Sequence, residues 1–321
     1  MEATRYQRIR LWAGITSIGT NLAVICAAAI AAWVLPWQLS PATTAVALLA
    51  LAVLIPLSTL PMDILVGQAI EENAEPFAVW FGEWVRGKAL CALGMAMGFG
   101  LCWAAYVVGP WGPLAFACVV VAGVLRVSMG GGSRDATLDQ PVLKAAKQLG
   151  GSQLTLRWFD GDPVTPVNGY SVPWSPGVVF LSRSTTSYLS PKQIAALALR
   201  ELWLQRTGRH ALGLIAAVLW ALGSMVAAFT IPAPTALAAA LGGTAVVSLL
   251  AFSSLFVVPA LNRRWNSEAD REMAARIGAV EAAAILEAIQ KANRTDVHLP
   301  AAKTAVFHPI PPLDQRTAPL A

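Results

Sequence analysis

Charge is what this sequence has least of. Of its 321 residues only 13% are Asp, Glu, Lys or Arg, against about 25% in an average soluble domain, while 56% are hydrophobic. So apolar a chain has too little polar surface to coat a water-soluble globule of its size, which excludes the two ordinary soluble domains its length would suggest. Cysteine is scarce too. The four present (Cys26, Cys91, Cys102 and Cys118) lie inside apolar runs without a C-x-x-C pair. That argues against a disulfide framework or zinc ribbon and reads each as a buried small hydrophobe. The net charge of +5 calls for no nucleic acid, because membrane proteins carry excess Lys and Arg on their cytoplasmic loops.

What is present is long apolar runs. Segments of about 20 apolar residues, the length that crosses a bilayer, occur six times: about Leu11–Leu35, Ala42–Leu60, Ala89–Val108, Trp111–Met129, Ala211–Ile231 and Thr235–Leu261. The third holds Gly94, Gly98 and Gly100, and the sixth Gly242 and Gly243, small residues that let helices approach. The fourth carries Arg126 near its end, where it can snorkel to the headgroups. The first run is longer than the apolar core of a signal peptide, about 7–15 residues, so it reads as a retained span.

Orientation follows from the positive-inside rule. The links 36–41, 109–110 and 232–234 contain no charged residue, and all 23 basic residues fall in the N-terminal segment, 61–88, 126–210 or the C-terminal segment. Those four regions are therefore expected on the cytoplasmic side. The sequence divides into a membrane region 1–129 with four spans, a soluble insert 130–210, a two-span hairpin 211–261, a helical segment 262–293 and a Pro-rich, disordered tail 294–321.

Between the spans, 61–88 combines five acids with Trp80, Phe81 and Trp84, and reads as an interfacial helix or as a solvated connector. In the insert, Gln140–Leu149 has an amphipathic helical pattern, and Leu154–Phe159 and Val178–Leu181 read as strands. Ser190-Pro191-Lys192-Gln193 is a capping box opening a helix to about Arg206. Residues 262–291 repeat an apolar stripe at helical spacing, with Ala269, Met273 and Ile277 among its members.

The order of these pieces resembles the membrane zinc metalloproteases of the M48 family, which include Ste24-type and HtpX-type proteins. The segment from Ser190 to Leu202 is similar to the family's lead-in to H-E-x-x-H, and Asn168-Gly169-Tyr170 stands where the family has N-A-[FY]. Asn266-Ser267-Glu268-Ala269-Asp270 occupies the E-x-x-x-D position after a two-span hairpin, and Leu60-Pro61-Met62-Asp63 is similar to a Ste24-type stretch before the third span. The resemblance implies a mainly α polytopic membrane protein with about six transmembrane helices and a small cytoplasmic α+β, zincin-type insert. It also implies a peptide-binding strand region, here Asn168, Gly169, Tyr170, Val178, Val179 and Phe180, and a zinc-dependent endopeptidase.

The departures fall on the metal. H-E-x-x-H places two imidazoles on one helix face, with Glu as general base. This chain has Arg200 and Leu204 at the two His positions and Asn266 at the third ligand. A guanidinium stays protonated and offers no lone pair, Leu cannot ligate, and an Asn carbonyl is a poor zinc ligand. Glu201 stands at the general-base position, vestigial without a metal-bound water. The only histidines, His210, His298 and His308, do not supply a replacement set. A positive charge is expected in place of the metal, Arg200 pairing with Asp270 or Glu268 and tying the two helices, unless Arg200 points to solvent.

The expectation is an M48-like pseudoprotease with no metal cofactor, a non-catalytic binding or regulatory subunit in the bacterial cytoplasmic membrane with both termini and 130–210 cytoplasmic. Its partners would be the lipid bilayer and a membrane-protein or peptide client, in a hetero-complex, and no nucleic acid. One alternative is an active zinc metalloendopeptidase with atypical ligands. A second is a small transporter, against which stands the lack of ionisable groups inside the spans.

Overall fold

The structure, a computed structural model, describes residues 3–35, 37–69, 76–128, 131–151, 153–160, 166–293 and 313–317. The chain is mostly helical with one small sheet, and it divides into two units. Residues 1–123 and 219–253 form the first, and 124–218 and 254–321 the second.

Long apolar helices make up the first unit: α1 (Ala3–Val34), α2 (Pro41–Leu57), α4 (Phe77–Val108) and parts of α5 (Trp111–Ser128), α8 (Arg209–Phe229) and α9 (Ala236–Ile277), with the short α3 (Leu60–Ile64) following α2. Ser40 caps α2 by accepting from Thr43 N–H at 3.2 Å, with Pro41 at the first helical position. Among the described residues five helical stretches are long and apolar enough to cross a membrane: Trp12–Val34, Pro41–Gln68, Phe77–Val108, Arg209–Phe229 and Ala236–Ser254. Five of the six expected spans are among these, and of the fourth, in α5, the described apolar part is the shorter stretch Trp111–Gly123.

The 61–88 segment is helical, not a loop, over most of its described part. Leu60–Ile64 and a π-helical turn, Leu65–Ala69, extend the second apolar stretch, and Phe77 already opens the third. The aromatic residues explain the early start. Phe77, Trp80, Phe81 and Trp84 recur at helical spacing and pack on one another, with ring centroids 5.6–6.3 Å apart. Asp63 and Lys88, which the sequence places between spans, therefore lie within apolar helical stretches and pair with each other at 2.7 Å.

Ile25, Leu48, Ile55, Phe99 and Leu241 anchor the main core of this unit. Its close approaches differ from the sequence reading. A Cβ at Gly94, Gly98 or Gly100 would meet nothing within 4 Å, whereas one at Gly242 would sit 2.9 Å from Trp33 Nε1 and one at Gly243 2.7 Å from Cys102 Sγ. Phe99, Cys102 and Ala105 mark the buried side of α4.

The second unit is α+β. Asp135 caps α6 (Ala136–Gln148), which buries Val142, Ala145 and Ala146. Strands β1 (Thr155–Phe159), β2 (Gly169–Ser171) and β3 (Val178–Ser182) form a sheet in the order β1-β3-β2, with β3 parallel to β1 and antiparallel to β2. Sequence reading missed β2, whose three residues are too few to show an alternating pattern. After a short 3₁₀ turn (Arg183–Ser187) comes α7 (Pro191–Arg206), opened by the complete Ser190–Gln193 capping box. The core joins Leu156 and Trp158 of β1, Val179 and Leu181 of β3, Ile194, Ala198 and Leu202 of α7, Met273 of α9, and Ile285 and Leu286 of α10 (Ala279–Ala292). Each such large aliphatic or aromatic side chain contributes roughly 1.5–3 kcal/mol of transfer free energy.

Two boundaries differ from expectation. The sixth apolar run and the helical segment after it are one 42-residue helix, α9, without the break expected near residue 262. The break comes instead at Gly278, whose φ of +92° ends α9 and lets α10 begin. Within the tail expected to lack structure, Leu313–Thr317 forms a helical turn, α11, that packs on α10. The rest of that tail lies outside the described residues.

Candidate functional site

Two helices of the second unit build the site. On α7 the capping box fixes the register, so Arg200 and Leu204, four residues apart, share one face. On α9 the same spacing puts Asn266 and Asp270 on one face. Gln205 fastens α7 to the β2–β3 hairpin: its Nε2 donates to the carbonyls of Val172 (2.7 Å) and Ser175 (3.0 Å), and its Oε1 accepts from Gly177 N–H (2.8 Å). Ser171 Oγ donates to the Glu201 carbonyl at 3.1 Å. Strand β2 thus runs beside the residue that stands at the general-base position.

At the centre lies the Arg200 guanidinium. Its Nε donates to Asp270 Oδ1 at 2.7 Å, its Nη1 to Glu201 Oε1, and its Nη2 to Asn266 Oδ1 at 2.5 Å. Asn266 is held for this by donating its own Nδ2–H to the Asn262 carbonyl at 2.8 Å. A second guanidinium arrives from α11, where Arg316 donates Nε to Asp270 Oδ2 (2.6 Å) and Nη2 to Oδ1 (2.9 Å). The Asp270 side chain is 1% exposed and those of Arg200 and Glu201 6% each. Three buried charges and the partly buried Arg316 thus neutralise one another, the condition under which buried charge is tolerated.

The electrostatics follow from this packing. Burial alone would lower the Arg200 pKa, but the charges of Asp270 and Glu201 and their hydrogen bonds push it above the ordinary guanidinium value. Burial likewise works against ionised Asp270, and the charges of Arg200 and Arg316 and their hydrogen bonds prevail, holding the carboxyl below the ordinary aspartate range.

Glu268 takes no part in the cluster. It accepts from Arg209 at 2.9 Å and from Arg264 at 3.2 Å, so the cation on Asp270 is Arg200 and the one on Glu268 is Arg209. Leu204 is buried beside the cluster's helix face and contributes no donor atom. His210 is closer than its sequence distance suggests. The turn at Thr207–Gly208, with Gly208 at φ +72°, brings His210 Nε2 to 3.5 Å from Glu201 Oε2, where it is buried without a hydrogen-bond partner among the described residues. Arg316 escaped sequence reading altogether. Its only signal is Leu313 three residues before it, an apolar–basic pair at helical spacing after Pro311-Pro312.

The expected peptide-binding residues divide by strand. Val178, Val179 and Phe180 lie on β3, the central strand, whose backbone is paired on both sides. Val179 and Phe180 are paired with both neighbours and Val178 with β1 alone, so the outer edge on the β2 side belongs to β2. Asn168, Gly169 and Tyr170 are at or beside β2, an edge strand. Tyr170 stacks on Phe180 with centroids 4.9 Å apart and planes at 5°. A Cβ at Gly169 would sit 2.8 Å from Leu181 Cδ2, so a larger residue there would have to displace that buried side chain.

These residues do not fit a zinc ion. Two permanent cations already hold the carboxylate of Asp270, one of them also engages Glu201, and a divalent ion would meet their repulsion. Among the described residues no three His, Cys, Asp or Glu side chains converge as a ligand set. What the arrangement does chemically is to join α7, α9 and α11 through charge-assisted hydrogen bonds.

No protein-family model matches the chain, and no curated protein matches it in sequence. Its fold does have a solved counterpart. The crystal structure of S. mikatae Ste24p superposes with a TM-score of 0.71 over 99% of this chain and 87% of that one, at 15% sequence identity. The fold is therefore Ste24p-like. With five helices apolar and long enough to span, this makes the chain an integral membrane protein in contact with the bilayer.

Proposed function

We propose that this chain is a membrane-embedded pseudoprotease of the M48 type, one that binds an extended polypeptide and does not cut it. One observation carries the reading: Arg200, at a position where the resembled family has a zinc-binding histidine, is bonded to Asp270, Glu201 and Asn266 at once. A salt bridge there replaces the metal as the tie between the helices, and Glu201, engaged by Arg200, has no metal-activated water to deprotonate.

Binding does not require that water. Peptide addition to a sheet edge rests on main-chain hydrogen bonds, and β2 presents such an edge beside α7. The positive-inside rule supports a cytoplasmic position for this edge and for both termini, where a client's extended segment or a partner subunit would dock.

The test is a photo-crosslinking amino acid at Tyr170 in the full-length protein, expressed in its native membrane. The reading predicts adducts to an intact polypeptide, in equal yield with and without a zinc chelator. Adducts to shortened fragments that disappear with chelator would establish peptidase activity and reject it.

A further inference from the structure

In the membrane unit, α1, α3 with its π-helical extension, and α4 line an unsealed cavity of about 600 Å³. That volume falls within the rough 300–1,000 Å³ of small-molecule sites. Small residues make the space. Gly14 and Ser17 line it from α1, and Gly87 lines it from α4 at a point where an added Cβ would meet nothing within 4 Å. Most of the remaining wall is apolar, and the indoles of Trp80 and Trp84 form part of it.

One polar feature breaks that wall, the Asp63–Lys88 pair. Lys88 Nζ is 2.7 Å from Asp63 Oδ2 and donates to Thr59 Oγ1 at 2.6 Å, which among the described residues leaves one of its three N–H groups uncommitted. Asp63 accepts from Thr59 (2.8 Å), Trp84 Nε1 (3.0 Å) and Lys88, all on Oδ2, so Oδ1 keeps an accepting position. The pair is thus tied together and still presents one donor and one acceptor to the cavity.

A ligand matching this must itself be dipolar. An anion alone would bring its charge against Asp63, and a cation alone would bring its charge against Lys88. A headgroup carrying both satisfies both; the Trp84 ring already lies under Lys88 Nζ at 5.7 Å, and the Trp80 indole adds attraction for an ammonium. Since the lining helices are apolar enough to span a bilayer, the apolar wall suits hydrocarbon. We infer that the cavity is a binding site for a zwitterionic phospholipid of the ethanolamine type, its phosphate on Lys88 and its ammonium on Asp63 and the Trp80 indole. This site is independent of the cluster at Arg200 and of the function read from it.

The experiment is native mass spectrometry of the full-length protein from mild detergent, titrated separately with phosphatidylethanolamine, phosphatidylglycerol and chain-free glycerophosphoethanolamine. The unmodified chain is expected to retain phosphatidylethanolamine at least tenfold better than either of the others. Gly87→Leu and Ser17→Leu, which fill the cavity from two different helices, are expected to bring its retention down to that of phosphatidylglycerol. Equal retention of the two lipids by the unmodified chain marks annular lipid only and overturns the proposal, with no variant needed. Retention of the chain-free headgroup as strong as that of the lipid, or undiminished lipid retention in a folded cavity-filling variant, overturns it as well.

Discussion

Across 70 residues of sequence, Arg200 places its Nε 2.7 Å from Asp270 Oδ1, inside a protein unit that gives neither side chain more than a few per cent of exposure. Ion pairs so deeply buried are poor evidence of net stability, because desolvation offsets much of the attraction. What they create is dependence: each partner becomes costly to remove alone.

Asp270→Ala leaves two guanidinium groups, buried Arg200 and partly buried Arg316, without their shared carboxylate. The expected loss is about 3–5 kcal/mol, the usual cost of orphaning one side of a buried pair. Thermal unfolding in detergent measures it. Arg200→Met combined with Asp270→Leu still leaves Glu201 and Arg316 without these partners, so it should be less destabilised than the sum of its singles rather than fully restored, and a double variant as unstable as that sum would show that the two residues do not interact.

Stability should also depend on pH through Asp270. Its folded-state pKa is depressed by Arg200 and Arg316 against the opposing effect of burial. Its stabilising contribution is therefore complete above the unfolded-state value of about 3.9 and is lost as pH falls through the folded value. The melting temperature of the parent should fall more steeply below about pH 4 than that of Asp270→Asn, which has no such proton to bind. Parallel curves for the two proteins would count against the assignment.

Arg316 gives a separable test of the tail. Its bonds to Asp270 come from the five-residue α11, while Arg200 would still hold Asp270 in its absence. Arg316→Ala should cost less than Asp270→Ala, about 1–3 kcal/mol, and should render residues 313–317 newly sensitive to limited proteolysis. An unchanged digestion pattern would mean that α11 is held without the Arg316–Asp270 pair.

The sequence made some of this legible and hid the rest for identifiable reasons. Long apolar runs announce membrane helices through composition alone, and the capping box at Ser190 and Gln193 located α7 and the register of Arg200, because capping chemistry is local. Helix continuity was harder to read. Phe77 to Trp84 belong to α4 because their rings stack along it, and α9 runs unbroken from apolar into charged residues, although composition suggests boundaries in both places. The contacts of Asp63 with Lys88, of His210 with Glu201 and of Arg316 with Asp270 depend on how helices turn back or pack. A linear reading of residue types carries no such information.

The replacement of metal by guanidinium is tested most directly by elemental analysis of the purified, full-length protein, compared with the variant Arg200→His, Leu204→His, Asn266→Glu. The account predicts no stoichiometric zinc in the parent. In the variant, two imidazoles on one face of α7 and a carboxylate on α9 restore three ligands, so about one zinc per chain is expected. Stoichiometric zinc in the parent, lost on Glu201→Ala or Asn266→Ala, would contradict it.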